Sequence, residues 1–139
     1  CEDYDLAMTI GKTIKKFNKD LIYVVLPLNE MEKAAKKIDI KYACEIFADR
    51  NYEDNGQLIT RTNKNASIHD PIIVSENILE MLDKSYIKCY SGKKIKTNID
   101  TICIHGDGSN AVAIAKELKN KLKKNNIKQV NLNKLEKFL

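Results

Sequence analysis

An α/β fold built on a parallel sheet is the architecture that this sequence predicts, and three observations carry the prediction. Short apolar runs at Leu21 to Leu26 (LIYVVL), Ala43 to Ala48 (ACEIFA) and Thr101 to His105 (TICIH) alternate with longer stretches of helical periodicity. The first two runs flank one amphipathic helix, which gives the strand, helix, strand unit from which parallel sheets are assembled. The second and third runs pass at their C-terminal ends into charged and turn-forming residues, where the loops of such sheets and barrels bind ligands.

The elements follow in order. From Asp3 to Phe17 the residues Leu6, Ile10, Ile14 and Phe17 recur at helical spacing with lysines opposite, which predicts an amphipathic helix packed on the sheet. Leu21 to Leu26 is continuously apolar, as in a parallel strand covered on both faces, and Pro27 ends it. Asn29 caps the next helix with Glu32 in the capping-box position, and Met31, Ala34, Ala35 and Ile38 form its apolar face. The strand Ala43 to Ala48 follows. Asp54-Asn55-Gly56 then makes a turn with Gly56 free to take a positive φ, before a short extended piece at Leu58-Ile59. Asp70 and Pro71 open a third helix as cap and first helical residue, with Val74, Ile78, Met81 and Leu82 facing inward as far as Lys84. Tyr86 to Tyr90 and Lys94 to Lys96 flank Ser91-Gly92 as a hairpin. After Thr101 to His105 a closing helix carries Ala111, Ala115, Leu118 and Leu122 on one face. Ile127 to Val130 reads as a final short strand, and Leu132, Leu135 and Phe138 as a helical tail.

With 139 residues, 43% of them apolar and 31% charged, and only five Gly and two Pro, the chain is expected to form one soluble α/β unit over 1–139. The longest apolar run is far short of the roughly 20 residues that a spanning helix needs, so no membrane partner is expected. The net charge of +5 comes mostly from lysines between Lys116 and Lys137. Lysine without interleaved aromatics reads as the solvated side of a helix, and nucleic-acid binding is not expected. Cys1, Cys44, Cys89 and Cys103 lie far apart with no C-x-x-C pair, as reduced thiols of a cytoplasmic protein do. The chain opens at Cys1 with neither Met nor a leader, so its N-terminus reads as cut.

The stretch from Tyr42 to Arg61 carries more ionisable groups than a strand requires. Glu45 sits within an apolar run, and Asp49, Arg50 and Tyr52 follow at its end. Arg50 offers a planar fork of donors for a carboxylate or an anionic substrate, and Tyr52 a hydroxyl. A structural ion pair closing the strand end accounts for the same residues, and that alternative stays open. Similarly, His105-Gly106-Asp107-Gly108 either lets backbone amides approach an anion at a helix N-terminus or is a tight turn capped by Ser109. His69 either packs beside the Asp70 cap or joins a site.

Taken together, EIFADRNYEDNGQLITR, NASIHDP and DTICIHGD, in this order, resemble the LamB/YcsF family, the A-subunit family of bacterial 5-oxoprolinase, over Cys1 to Asn126. The resemblance implies a (β/α) barrel of the glycoside hydrolase/deacetylase type, of which this chain would be the C-terminal half. It also implies ATP-dependent hydrolysis of the cyclic amide 5-oxoproline to L-glutamate in company with subunits B and C, with a divalent metal possible and its ligands unknown. The family's motifs fall on Glu45, Phe47, Ala48, Asp49, Arg50 and Tyr52, on Gly56, Leu58 and Arg61, on His69, Asp70 and Pro71, and on His105, Gly106 and Asp107. From them Glu45, Asp49, His105 and Asp107 are candidate catalytic residues, and Arg50, Tyr52, Arg61 and His69 candidate substrate-binding residues. The chain departs from the family at Gly108-Ser109-Asn110, where Thr-Pro-Gly is usual, and the family's N-terminal motifs are absent. A half barrel would expose two sheet edges and an inner face, so it is expected to pair with its missing half or with a second copy. The alternative is a non-catalytic fragment or binding module that docks on partner subunits.

Overall fold

The computed structural model describes residues 2–139, so Cys1, expected above as a reduced thiol, lies outside the described residues. Four α-helices and five strands follow one another among the described residues: α1 (Tyr4–Phe17), β1 (Tyr23–Val25), α2 (Glu30–Ile38), β2 (Tyr42–Phe47), α3 (Pro71–Lys84), β3 (Tyr86–Lys88), β4 (Lys94–Lys96), β5 (Thr101–Cys103) and α4 (Ala111–Lys124). Strands β1, β2 and β5 form a parallel sheet in that order, and β3 and β4 form a separate antiparallel hairpin. The predicted α/β class with a parallel sheet is the one observed.

Register is what positions the functional end. β1 pairs with the first half of β2, Val24 opposite Ala43, whereas β5 pairs with the second half, Ile46 opposite Ile102. The amide of Ala48 continues the ladder to the carbonyl of Cys103 at 2.9 Å, so the chain leaves β2 and β5 side by side. Asp49 and His105 are the polar residues that emerge there.

Helices cover one face of this sheet. Ile46 packs with Val74, Ile78 and Met81 of α3 and with Ile114, Leu118 and Leu122 of α4, all buried. A second cluster joins Tyr23 and Val25 to Ala35 and Ile40, with Ile10 and Ile14 of α1 against it. Each fully buried aliphatic side chain of this kind contributes about 1.5–3 kcal/mol. The caps are as expected at α2 and α3, where Asn29 accepts from the amides of Met31 and Glu32 and Asp70 from those of Ile72 and Ile73. Glu32 reaches one residue beyond the cap, taking the amide of Leu28 at 2.7 Å. Gly56 adopts φ +86°, as the turn requires.

Several expectations are corrected. β1 is not fully covered on both faces: Tyr23 and Val25 are buried, but Val24 between them is 40% exposed, although Ala43 beside it on β2 is buried. On α1 the buried positions are Ala7 and Gly11 rather than Leu6 and Phe17, because α2 approaches so closely that a Cβ on Gly11 would lie 2.7 Å from Ile38 Cδ1. On α4 it is Ile114, not Ala115, that joins Leu118 and Leu122 in the buried stripe. Residues 127–130 form no strand, since the amide of Ile127 turns back to the carbonyl of Leu122 and closes α4. The tail beyond them is two short 3-10 turns, Leu132–Lys134 and Glu136–Phe138.

Candidate functional site

Parallel pairing of β2 with β5 brings Asp49 and His105 together. His105 Nδ1 lies 2.9 Å from both carboxylate oxygens of Asp49. A carboxylate only accepts, so in the neutral imidazole the shared proton sits on Nδ1 and Nε2 keeps its lone pair. The ring is held further by stacking on Phe47, with centroids 5.3 Å apart and planes 16° from parallel. Both side chains are mostly but not fully buried, so a solute can reach them.

The pair opens into a cleft of about 180 Å³ whose lining includes Asp49, Arg50, Arg61, His69, His105 and Asp107. Six of the eight residues singled out in the sequence therefore meet at one place, although they come from four separate segments. Arg61 and Asp107 stand at its mouth with Nη1 to Oδ2 at 4.0 Å, and both side chains are exposed. His69 is exposed as well, and its carbonyl accepts from Asn110 Nδ2 at 2.9 Å.

Arg50 is not the carboxylate clamp of a strand-end ion pair. It is buried, its Nε donates to the carbonyl of Ala66 at 3.1 Å and its Nη2 to that of Ile59 at 2.6 Å, and it forms no ion pair among the described residues. Its side chain thereby clips the loop of residues 59–68 against the end of β2. Backbone bonds from Asn51 to Ala66, from Ile59 to Asn51 and from Ile68 to Asp49 fasten the same loop. Arg61 lies within this fastened loop, and His69 follows directly after it.

Two candidates do not reach the cleft. Tyr52 is 1% exposed and its hydroxyl accepts the amide of Phe47 at 2.7 Å, so it is a core residue that pins the end of β2, and burial drives its phenol upward from its ordinary value. The tyrosine next to a strand end looked from sequence like a ligand group because nothing there shows which way the chain turns. Glu45 lies farther back on β2, half-buried and without a side-chain hydrogen bond among the described residues. Burial raises its pKa, with His105 pulling the other way, so its charge is felt at the pair without lining the cleft.

Ser109 does not cap α4. Asn110 occupies the cap position without a side-chain bond to the helix, its amide being spent on His69. Asn110 therefore ties the segment before α3 to the start of α4. The sequence offered one hint of this residue, since Gly108-Ser109-Asn110 is where the chain departs from the motif around His105. The thiols of Cys44, Cys89 and Cys103 are all free, and burial raises each of them, that of Cys44 to about 12.

Known proteins match this chain along nearly all of its length. The LamB/YcsF family matches residues 1–137. A Campylobacter jejuni protein named as the A subunit of 5-oxoprolinase is 35% identical over 137 residues, which cover 99% of this chain and 52% of that protein. A protein of the same name from Rhodopseudomonas palustris (strain BisA53) is 39% identical over 122 residues, or 88% of this chain and 48% of its own. The solved structure of the lactam utilization protein from Thermus thermophilus superposes with a TM-score of 0.80 at 29% identity, over 91% of this chain and 50% of that one. The chain thus spans about half the length of the curated relatives it matches.

Proposed function

This chain belongs to the LamB/YcsF family, and we propose that it forms part of an ATP-dependent 5-oxoprolinase that opens 5-oxoproline to L-glutamate together with subunits B and C. The name carried by its relatives supports the substrate. The observation that carries the chemistry is the Asp49–His105 pair, oriented at the ends of two parallel strands and open to a cleft.

In this reading Asp49 fixes the imidazole so that Nε2 is the basic atom. His105 takes a proton from water as the oxygen adds to the ring carbonyl, and returns it to the ring nitrogen as the carbon–nitrogen bond breaks. Asp107 and Arg61 border the entrance, where their opposite charges orient a carboxylate-bearing lactam. Glu45, behind the pair, keeps negative potential near the imidazolium that forms. Arg50 and His69 shape the cleft, and Tyr52 acts only through the fold. ATP is a second substrate in this scheme and is delivered with the partner subunits.

Among the described residues no group of three His, Cys, Asp or Glu side chains is placed to hold a metal, and Asp49 and His105 hold each other. The residues of this chain do not by themselves fit a divalent ion, and no step is assigned to one. The sheet supports a further part of the proposal. Its outer face is covered by helices while Val24, on the other, is exposed, as one wall of a (β/α) barrel of the glycoside hydrolase/deacetylase type would be. The opposite wall then comes from the remaining half of the barrel or from a second copy.

The test is glutamate release when the full-length protein that contains this chain is combined with ATP, 5-oxoproline and subunits B and C. Turnover that survives His105→Ala unchanged would remove the assignment of the pair.

A further inference from the structure

We infer that a second cavity, separate from the cleft but sharing Arg50 with it, is a binding site for a small oxyanion, a carboxylate or a phosphate. This inference does not depend on the proposed reaction. The cavity measures about 160 Å³, and among its lining residues are Arg50, Asn51, Tyr52, Asn77, Lys88 and Cys89. Two cations and two carboxamides line it, and no aspartate or glutamate does.

The charges around it do not cancel. Lys88 Nζ donates to Glu80 Oε2 at 2.9 Å and to Asn77 Oδ1 at 3.0 Å, but Glu80 is shared with Lys94 and with the hydroxyl of Tyr86, so one carboxylate faces two lysines. Arg50 adds a guanidinium whose hydrogen-bond partners among the described residues are two carbonyls, so no carboxylate pairs with it. Carbonyl dipoles satisfy its donors but do not neutralise its charge. Asn77 turns its oxygen to Lys88, which leaves its amide hydrogens for a ligand.

Water satisfies hydrogen bonds but neutralises nothing, whereas an oxyanion does both and accepts in the plane that a guanidinium offers. The cleft is less suited to that role, because two carboxylates, Asp49 and Asp107, line it together with Arg50 and Arg61. The Asn51 amide already donates to the carbonyl of Asn65 at 2.8 Å, so it is the two basic groups and the amide of Asn77 that favour an anion in the second cavity.

The experiment is an amide chemical-shift titration of the isotope-labelled chain with sodium phosphate and, separately, with sodium acetate, both at constant ionic strength. Saturable shifts centred on Asn51, Asn77, Lys88 and Cys89 are expected with at least one of them. Saturation by phosphate alone assigns the phosphate class, and saturation by acetate the carboxylate class. Lys88→Met and Asn77→Leu, which leave the buried Arg50 in place, should each weaken binding about tenfold, and Arg61→Gln should not change it. No saturable shift with either anion, shifts centred on Gly108 to Ala111, or unchanged binding by Lys88→Met would each overturn the inference.

Discussion

His105 Nδ1 lies within 2.9 Å of both carboxylate oxygens of Asp49, although the two residues are 56 positions apart in the chain. The contact follows from the register of β2 against β5, so it is built into the sheet rather than into a loop. If the two residues act as one unit, their substitutions cannot add. Asp49→Asn and His105→Ala should each lower kcat/KM for glutamate formation by about 10²–10⁴, and the double variant should be no worse than His105→Ala alone. Circular dichroism should stay unchanged, since both side chains are partly exposed. Multiplicative losses in the double variant would show that the residues act separately.

Arg50 should matter to the fold before it matters to the reaction. Replacing it with Met removes two charge-assisted bonds to the carbonyls of Ile59 and Ala66. A loss of about 2–4 kcal/mol is expected in urea unfolding. The damage should concentrate in the loop, with faster hydrogen exchange at the amides of Ile59 and Ile68, whose bonds to Asn51 and Asp49 the guanidinium supports. An unchanged unfolding midpoint would mean that the backbone bonds alone hold residues 59–68.

Much of this was legible in the sequence, and the limits are physical. Apolar runs and helical spacing locate α1 to α4 and the parallel strands, because burial acts on every residue of an element at once, although the same signal misplaces a strand at 127–130. Asn29 and Asp70 announce their helices, since caps are local chemistry. What the sequence hides is direction. Val24 reads like any core valine, yet it is 40% exposed between the buried Tyr23 and Val25. Arg50 and Tyr52 look like ligand groups, but the return of the chain at Leu58 and Ala66 supplies backbone partners that sequence patterns cannot foresee. The Asp49–His105 pair required knowing which strand lies beside which, and the order of motifs alone hinted at it.

The two glycines with positive φ should differ in their tolerance of a side chain. Gly56 has φ +86° and Gly92 φ +93°, so alanine strains both backbones by about 1 kcal/mol. At Gly56, however, the new Cβ would lie 3.0 Å from Leu28 Cδ1, whereas at Gly92 it meets nothing within 4 Å. Gly56→Ala should therefore cost more than Gly92→Ala in chemical denaturation. Equal losses would show that Leu28 moves aside freely and that backbone strain alone decides.

Cys44 makes the stability of the fold depend on alkaline pH. It is fully buried on β2 beside Glu32 and Asp100, and burial first, then those two carboxylates, push its thiol from 9.0 to about 12. Below the unfolded value both states keep the proton and the group adds no pH dependence. Between the two values the unfolded chain releases its proton while the folded chain holds it, so stability is lost as pH rises, by about 1.4 kcal/mol for each unit. Urea unfolding at about pH 8 and about pH 10.5 should therefore show the unmodified chain losing about 2 kcal/mol more than Cys44→Ala over that interval. The comparison between the two chains cancels the titration of lysines and tyrosines that both retain. Equal losses would mean that Cys44 ionises in the folded state as readily as in the unfolded one, through a water path that its complete burial gives no sign of.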